Sequence, residues 1–254
     1  MVKYDLTDRV VLITGGSAGL GEQFAHGFAE SGAHVVLAAR RKDLLDRIAN
    51  TVSEKYGVRA LSYKADVSNE REVVDMVKFT VDKLGTVDVL VNNAGMYVFK
   101  PLLEQTIEDW HRVMDVNLTS AFVASREVAK VMIPKKHGTI INISSTFGFG
   151  ATRFTEVSYY TSKAGVNLLT KALAIELGEH NIRVNGIAPG FFPTAMSIEA
   201  MTDKELSKVI KARTALPMFA ENEWIRGAAC FLASDDAKYI TGHTLAVDGG
   251  WMAF

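Results

Sequence analysis

A single cysteine, five prolines and a nearly balanced charge set the first limits on this chain of 254 residues. One cysteine, Cys230, excludes an intramolecular disulfide and a cysteine-rich zinc site. It lies in the apolar run Gly227-Ala228-Ala229-Cys230-Phe231-Leu232-Ala233, where a free thiol behaves as a small buried hydrophobe. The six histidines, at 26, 34, 111, 137, 180 and 243, form no pair at ligand spacing such as i, i+4, so no metal is expected. Lysine and arginine number 28 against 29 aspartates and glutamates, a formal charge of −1, whereas nucleic-acid binding requires a basic surface. No uninterrupted apolar stretch reaches the roughly 18 residues of a membrane span. Lys3, Asp5 and Asp8 occupy the start, which lacks the apolar core of a secretory signal. The chain is therefore expected to be cytoplasmic, with neither nucleic acid nor membrane among its partners.

What the chain does have is alternation. Val10-Val11-Leu12-Ile13-Thr14, Val35-Val36-Leu37-Ala38, Val87-Asp88-Val89-Leu90-Val91, Thr139-Ile140-Ile141-Asn142-Ile143 and 182–187 are short runs of nearly continuous apolar character. That pattern suits parallel strands covered on both faces. Residues 59–64 and 244–247 are weaker strand candidates. Helix-period segments lie at 19–31, 41–56, 69–84, 107–132, 157–178 and 221–233, and Ser68 is the expected cap of the third. Strand–helix alternation at this spacing predicts an α/β fold. The expected form is a single-domain Rossmann-type doubly wound parallel sheet of about seven strands, helices on both faces, spanning residues 1–254. The stretch 194–219, with Met196, Met201 and Met218, breaks the alternation and is the natural place for a substrate lid.

After the first strand comes Thr14-Gly15-Gly16-Ser17-Ala18-Gly19-Leu20-Gly21, then a helix. Glycines here let a dinucleotide pyrophosphate approach backbone amides at a helix N-terminus, although the same residues also suit a plain strand-to-helix turn. The end of the second strand reads Ala38-Ala39-Arg40-Arg41-Lys42, with no acid before Asp43. An acid there would accept from a ribose 2′-hydroxyl, whereas arginine matches a 2′-phosphate. The reading is NADP, with NAD possible. Arg40 and Arg41 could instead be the solvated start of the next helix.

Four further signals follow in order: Asn92-Asn93-Ala94-Gly95, Asn117, Ser144-Ser145, and the pair Tyr159 and Lys163. Ligands gather at the carboxyl ends of parallel strands, so these groups are expected to converge beside the glycine turn. Tyr159 and Lys163, four apart, share one helical face. A free phenol titrates near 10, too high for acid–base work at neutral pH, and a neighbouring ammonium would lower it.

Together these residues make the sequence resemble the short-chain dehydrogenase/reductase (SDR) family from Leu6 to Gly250, with Pro189-Gly190 after the sixth strand as a further match. The resemblance implies an NAD(P)-dependent oxidoreductase acting on a secondary alcohol or ketone, with a catalytic tetrad of Asn117, Ser145, Tyr159 and Lys163. Ser145 would steady the substrate carbonyl, Tyr159 would act as acid or base, and Lys163 would also hold the nicotinamide ribose. Asn117 would hold a water that relays protons from Lys163. For the cofactor, the resemblance implies Gly15, Ser17, Gly19, Leu20 and Gly21 at the phosphates, with Arg40 and Arg41 at the ribose. It further implies Asp66 and Val67 at the adenine, Asn93, Ala94 and Gly95 along its ribose, and Pro189, Gly190, Phe192 and Thr194 near the carboxamide and phosphate. Ser145 stands fourteen residues before Tyr159 where the family usually has thirteen, so Thr146 is a rival hydroxyl, and Tyr160 is a rival phenol.

Substrate walls are expected at Met96 and Tyr97, 147–154, Phe191 and from Met196 onward, with Arg153 as an inward charge or a solvated loop residue. The offset of Arg153 and the run 184–191 are similar to gluconate 5-dehydrogenase-like members, which implies a sugar acid or polyol. Alternatives are a 3-oxoacyl thioester, a hydrophobic ketone, or a non-catalytic NADP-binding sensor. The family also implies a homotetramer built on helices near 103–130 and 157–178 and on the last helix and strand. The apolar end Trp251-Met252-Ala253-Phe254 suits either a subunit contact or the chain's own core.

Overall fold

The computed structural model describes residues 4–152, 156–216 and 218–253. Among them seven strands form one parallel sheet in the order β3-β2-β1-β4-β5-β6-β7. They are β1 Val10–Thr14, β2 His34–Ala39, β3 Ala60–Lys64, β4 Val89–Asn92, β5 Gly138–Ile143, β6 Ile182–Pro189 and β7 Thr244–Val247. The two weak sequence signals are β3 and β7, the edge strands, which are only half-buried and so carry less apolar sequence.

The helices are α1 Gly19–Glu30, α2 Lys42–Tyr56, α3 Glu70–Leu84, α4 Ile107–Met114, α5 Ser120–Met132, α6 Val157–Gly178, α7 Ile198–Thr202, α8 Lys204–Arg213 and α9 Ile225–Ala233. Successive strand residues point to opposite faces, so each buried run feeds two cores. Val11, Ile13, Val35 and Leu37 pack with Phe24 and Phe28 of α1, Leu45 of α2 and Ile225 of α9. Leu12, Val36, Leu90 and Ile140 pack with Met76 of α3, Val128 of α5 and Leu177 of α6. Each fully buried large side chain of this kind contributes about 1.5–3 kcal/mol. Cys230 belongs to the first core, and burial pushes its thiol up to about 11.

Three local expectations need correction. The cap of α3 is Asn69, whose side chain accepts from the Arg71 amide. Ser68 instead donates through its amide and hydroxyl to the Asp66 carboxylate. The helix expected over 107–132 is two: α4 opens with a Thr106–Asp109 capping box, and a five-residue π turn, Asp115–Thr119, separates it from α5. The segment expected to be helical from 221 begins with a 3-10 turn, Asn222–Trp224, ahead of α9.

Residues 194–219 contain α7 and α8, the latter capped by Asp203, whose carboxylate accepts from the Glu205 and Leu206 amides. Trp251 turns into its own chain: it is buried, packs its ring against Phe191 and Phe147, and carries the Arg213 guanidinium of α8 on its face. Among the described residues, no helix is long and apolar enough to cross a membrane.

Candidate active site

Between β1 and β4 the strand order reverses, and their carboxyl ends open a crevice. Thr14 and Asn93 tie its two lips together. The Thr14 hydroxyl oxygen accepts from the Asn93 and Ala94 amides at 3.0 and 3.1 Å, and Asn93 Nδ2 donates to the Thr14 and Gly15 carbonyls at 2.9 and 3.1 Å. Gly15 and Gly19 have φ of 67° and 59°, the left-handed region that favours glycine. A Cβ on Gly15 would stand 2.8 Å from Ala94 Cα. The N-cap residue of α1 is Ala18, whose side chain cannot accept a hydrogen bond, so the first-turn amides and positive dipole end are left for a ligand. This narrow, uncapped turn, with glycine at its two left-handed positions, fits a dinucleotide pyrophosphate.

From the crevice extends a cavity of about 720 Å³. The glycine turn gives it Gly15, Ser17, Gly19 and Leu20, and the end of β2 gives Arg40 and Arg41. Asp66 and Val67 follow β3, Asn93, Ala94 and Gly95 follow β4, and β6 leads into Pro189, Gly190, Phe192 and Thr194. Arg41 donates to the Ser17 hydroxyl at 3.0 Å, anchoring one guanidinium beside the turn. The Ser68 hydroxyl, with a smaller contribution from Arg40, holds the Asp66 carboxyl below the usual carboxylate range.

Two expected contact residues do not line the cavity. Gly21 sits behind the turn, where a Cβ would lie 2.3 Å from the Gly15 carbonyl oxygen; it is needed for close packing rather than for ligand contact. Asn117, in the π turn, also stands one layer back. Its Oδ1 accepts from the Met96 amide at 2.8 Å, and its Nδ2 donates to the Met96 carbonyl at 2.8 Å and to Ser162 Oγ at 2.9 Å. Gly95 separates it from Lys163: a Cβ there would stand 3.5 Å from Lys163 Nζ and 3.6 Å from Asn117 Oδ1. Arg153 lies outside the described residues.

Ser145, Tyr159 and Lys163 all reach the cavity, the first from the end of β5 and the other two from the first turns of α6. The Tyr159 ring meets Phe147 edge-on, and the Lys163 ammonium stands 5.7 Å from the Tyr159 ring centroid. That ammonium donates to the Ile143 carbonyl at 2.8 Å, and burial pushes it down to about 8. The acidified phenol expected from the sequence is not found. Burial pushes Tyr159 up to about 12, and the Ser145 hydroxyl bonded to it pulls it back only in part. The Lys163 ammonium, which donates to the Ile143 carbonyl, is not among the groups that offset this desolvation. Ser145 rather than Thr146 acts on the phenol, although both line the cavity. Tyr160 hydrogen-bonds Thr152 at 2.8 Å, packs its ring on Phe147, and stands outside the cavity lining.

Met96, Tyr97, Phe147, Phe191 and Met196 form walls where they were expected, whereas residues 148–152 of the stretch expected at 147–154 do not line the cavity. Arg112 of α4 and Glu156 beside α6 line the cavity outside the expected walls, and within the wall expected from Met196 onward Glu199 of α7 and Asp203 bring charge that was not anticipated. For Glu156 a signal existed, since it stands one helical turn before Tyr159; the others come from segments whose direction only the folded chain reveals. Among the described residues, no group of three or more His, Cys, Asp or Glu is placed to hold a metal ion.

A doubly wound sheet with an open glycine turn and a Tyr–Lys pair at its carboxyl edge defines a dinucleotide-dependent enzyme. Over residues 15–252 the chain matches the family model described as enoyl-(acyl carrier protein) reductase, and it belongs to the short-chain dehydrogenase/reductase family. It is thus an NAD(P)-dependent oxidoreductase of alcohol–ketone pairs. Among its relatives, the 3-oxoacyl-[acyl-carrier-protein] reductase of Synechocystis sp. is 38% identical over 251 residues, 98% of this chain and 99% of the relative. The gluconate 5-dehydrogenase of Gluconobacter oxydans is 36% identical over 247 residues, 97% of this chain and 96% of the relative. The crystal structure of a gluconate 5-dehydrogenase from Burkholderia cenocepacia in complex with NADP and tartrate superposes with a TM-score of 0.94 at 34% identity, covering 99% of this chain and 98% of that one.

Proposed function

We propose that the protein interconverts a secondary alcohol and a ketone with NADP, using Asn117, Ser145, Tyr159 and Lys163. The observation that carries this reading is the sharing of one cavity by Ser145, Tyr159, Lys163 and the glycine turn. When bound, the nicotinamide supplies or accepts the hydride. The amides at Gly15, Ser17, Gly19 and Leu20 would hold the pyrophosphate, and Arg40 and Arg41 the 2′-phosphate. Asp66 and Val67 would meet the adenine, and Asn93, Ala94 and Gly95 its ribose. Pro189, Gly190, Phe192 and Thr194 would bracket the carboxamide side, with Lys163 on the nicotinamide ribose. Two arginines and no acid after β2 support NADP, and the Burkholderia relative is named as an NADP complex.

With its pKa at about 12, the Tyr159 phenol keeps its proton at neutral pH and is set to donate it to the oxyanion that develops on a ketone. Ser145 steadies that oxygen. Lys163, charged below about 8, is the next proton source behind the phenol, and Asn117 lies across Gly95 from it, where a water could be held. The convergence of these groups disfavours a non-catalytic sensor.

A sugar acid or polyol is the leading substrate class, supported by the names of the gluconate dehydrogenases among the relatives. The apolar walls at Phe99, Phe147, Phe191 and Leu206 favour a 3-oxoacyl thioester or hydrophobic ketone as the second reading. We read the chain as one cytoplasmic domain with a lid at 194–219, assembled as a homotetramer. The tetramer is supported by Leu168 and Ile175 of α6, which are 68% and 86% exposed. The test is reduced-coenzyme absorbance with a panel of polyols, sugar acids and ketones, using NADP(H) and NAD(H) in parallel. Turnover with at least tenfold preference for the phosphorylated coenzyme is expected. Equal use of both, or a preference for NAD, would remove the NADP assignment.

A further inference from the structure

Glu156 occupies the N-cap position of α6, three residues before Tyr159. The free first-turn amides and the positive end of the helix dipole favour a negative charge near this position. The Glu156 side chain nevertheless makes no cap hydrogen bond, and it lines the same cavity as Tyr159. Separation by three residues puts both on one face of the first turn. Burial pushes the Glu156 carboxyl up to about 7, and among the described residues no hydrogen bond or ion partner pulls it back. Opposite it, on the loop after β4, Tyr97 is pushed up by burial and then by the charges of Glu156 and Glu199. Carboxylates from the start of α6 and from α7 therefore bear on one phenol at the substrate end. On its own helix Glu156 faces Tyr159 and Tyr160, while Arg112 of α4 and Asp203 line the cavity further round. A half-buried carboxyl that declines its own helix amides is an acceptor held ready for something that enters the cavity.

We propose that Glu156 is a specificity-determining residue: its carboxyl group accepts a hydrogen bond from a hydroxyl or ammonium that the substrate carries a few bonds from the reacting carbon, and selects against a carboxylate at that position. This rests on the alcohol–ketone reading of the site and narrows its substrate class. In a polyol the partner is a second hydroxyl; in a sugar acid the carboxylate must lie at another point of the cavity.

A matched set of ketones tests it: 4-(dimethylamino)cyclohexanone, 4-hydroxycyclohexanone and 4-oxocyclohexanecarboxylate, each with saturating NADPH. In the wild type, kcat/KM for the amino ketone should exceed that for the carboxylate by about tenfold or more, equivalent to ~1.4 kcal/mol. That ratio should rise between about pH 6 and pH 8 as the carboxyl loses its proton. Glu156→Gln, which keeps shape and removes charge, should lower the ratio about tenfold and flatten its pH dependence, whereas Glu156→Asp should keep its sign. An unchanged ratio in Glu156→Gln, or a wild-type preference for the carboxylate, would overturn the role of Glu156 while leaving the oxidoreductase reading intact. Absence of turnover on all three, and on the broader panel above, would count against that reading. Binding of the same three compounds to the NADP-loaded protein would then still report the charge preference, and no measurable binding of any would overturn it.

Discussion

Gly21 offers a sharp test of how the glycine turn works, because it contributes no surface to the cavity and yet cannot carry a side chain. In Gly21→Ala the new Cβ would lie 2.3 Å from the Gly15 carbonyl oxygen, 2.9 Å from the Gly15 carbonyl carbon and 2.7 Å from Asn93 Nδ2. The first two are backbone atoms, so α1 or the turn must shift by about 1 Å to restore ordinary contact. The shift also strains the Asn93 bonds to the Thr14 and Gly15 carbonyls, which close the crevice. Overpacking of this kind costs about 1–3 kcal/mol, and one weakened buried hydrogen bond adds about 1 kcal/mol. Alanine recovers up to about 1 kcal/mol through its helix propensity. The net loss should be roughly 1–3 kcal/mol in urea unfolding, with coenzyme affinity falling at least tenfold by fluorescence titration. Gly227→Ala is the control: Gly227 is exposed on α9 with nothing within 4 Å of a Cβ, so the same substitution should be neutral or stabilising by up to about 1 kcal/mol. If Gly21→Ala matched the wild type in both stability and coenzyme affinity, close backbone approach would not be the reason for that glycine.

Other outcomes follow from the same geometry. Removing the guanidinium in Arg41→Ala should weaken NADP binding about 10- to 100-fold, the range of a lost charge-assisted contact, and leave NAD binding nearly unchanged by titration calorimetry. Lys163 has its pKa lowered to about 8 in the folded chain, so the unfolded chain binds more protons between about 8 and the ordinary lysine value of 10.5, and stability rises with pH across that window. Lys163→Met should therefore abolish turnover yet be more stable than wild type by roughly 1–3 kcal/mol at pH 7, with the gain shrinking by pH 10 in urea titrations. Ile175→Glu, on the exposed face of α6, should shift sedimentation from tetramer to smaller species; an unchanged tetramer would move the interface elsewhere.

Most of the sheet was legible because burial on both faces leaves a continuous apolar signature, as in β1 and β5. The glycine turn, the arginines after β2 and the Tyr–Lys spacing were equally local, and apart from Gly21 the residues they nominate meet in one cavity. What the sequence could not convey depends on partners far along the chain. The break between α4 and α5 goes with the bonds of Asn117 to Met96 and Ser162, 21 and 45 residues away. Ser68 does not cap α3: its amide and hydroxyl turn back to Asp66, and the helix starts one residue later, with Asn69 as the acceptor. The phenol of Tyr159 was expected to be acidic from its neighbour's charge alone, but the Ile143 carbonyl holds the ammonium and burial sets the balance. Glu156 gave no motif; its interest comes from a cap hydrogen bond it does not make.

The proton-donor role of Tyr159 is tested most directly by single-turnover hydride transfer from NADPH to a ketone that the wild type reduces, followed by absorbance in Tyr159→Phe. The variant should fold and bind NADPH like the wild type while the transfer rate falls about 10²- to 10⁴-fold, the usual contribution of a positioned acid. A rate within about twofold of wild type, with binding intact, would contradict that role.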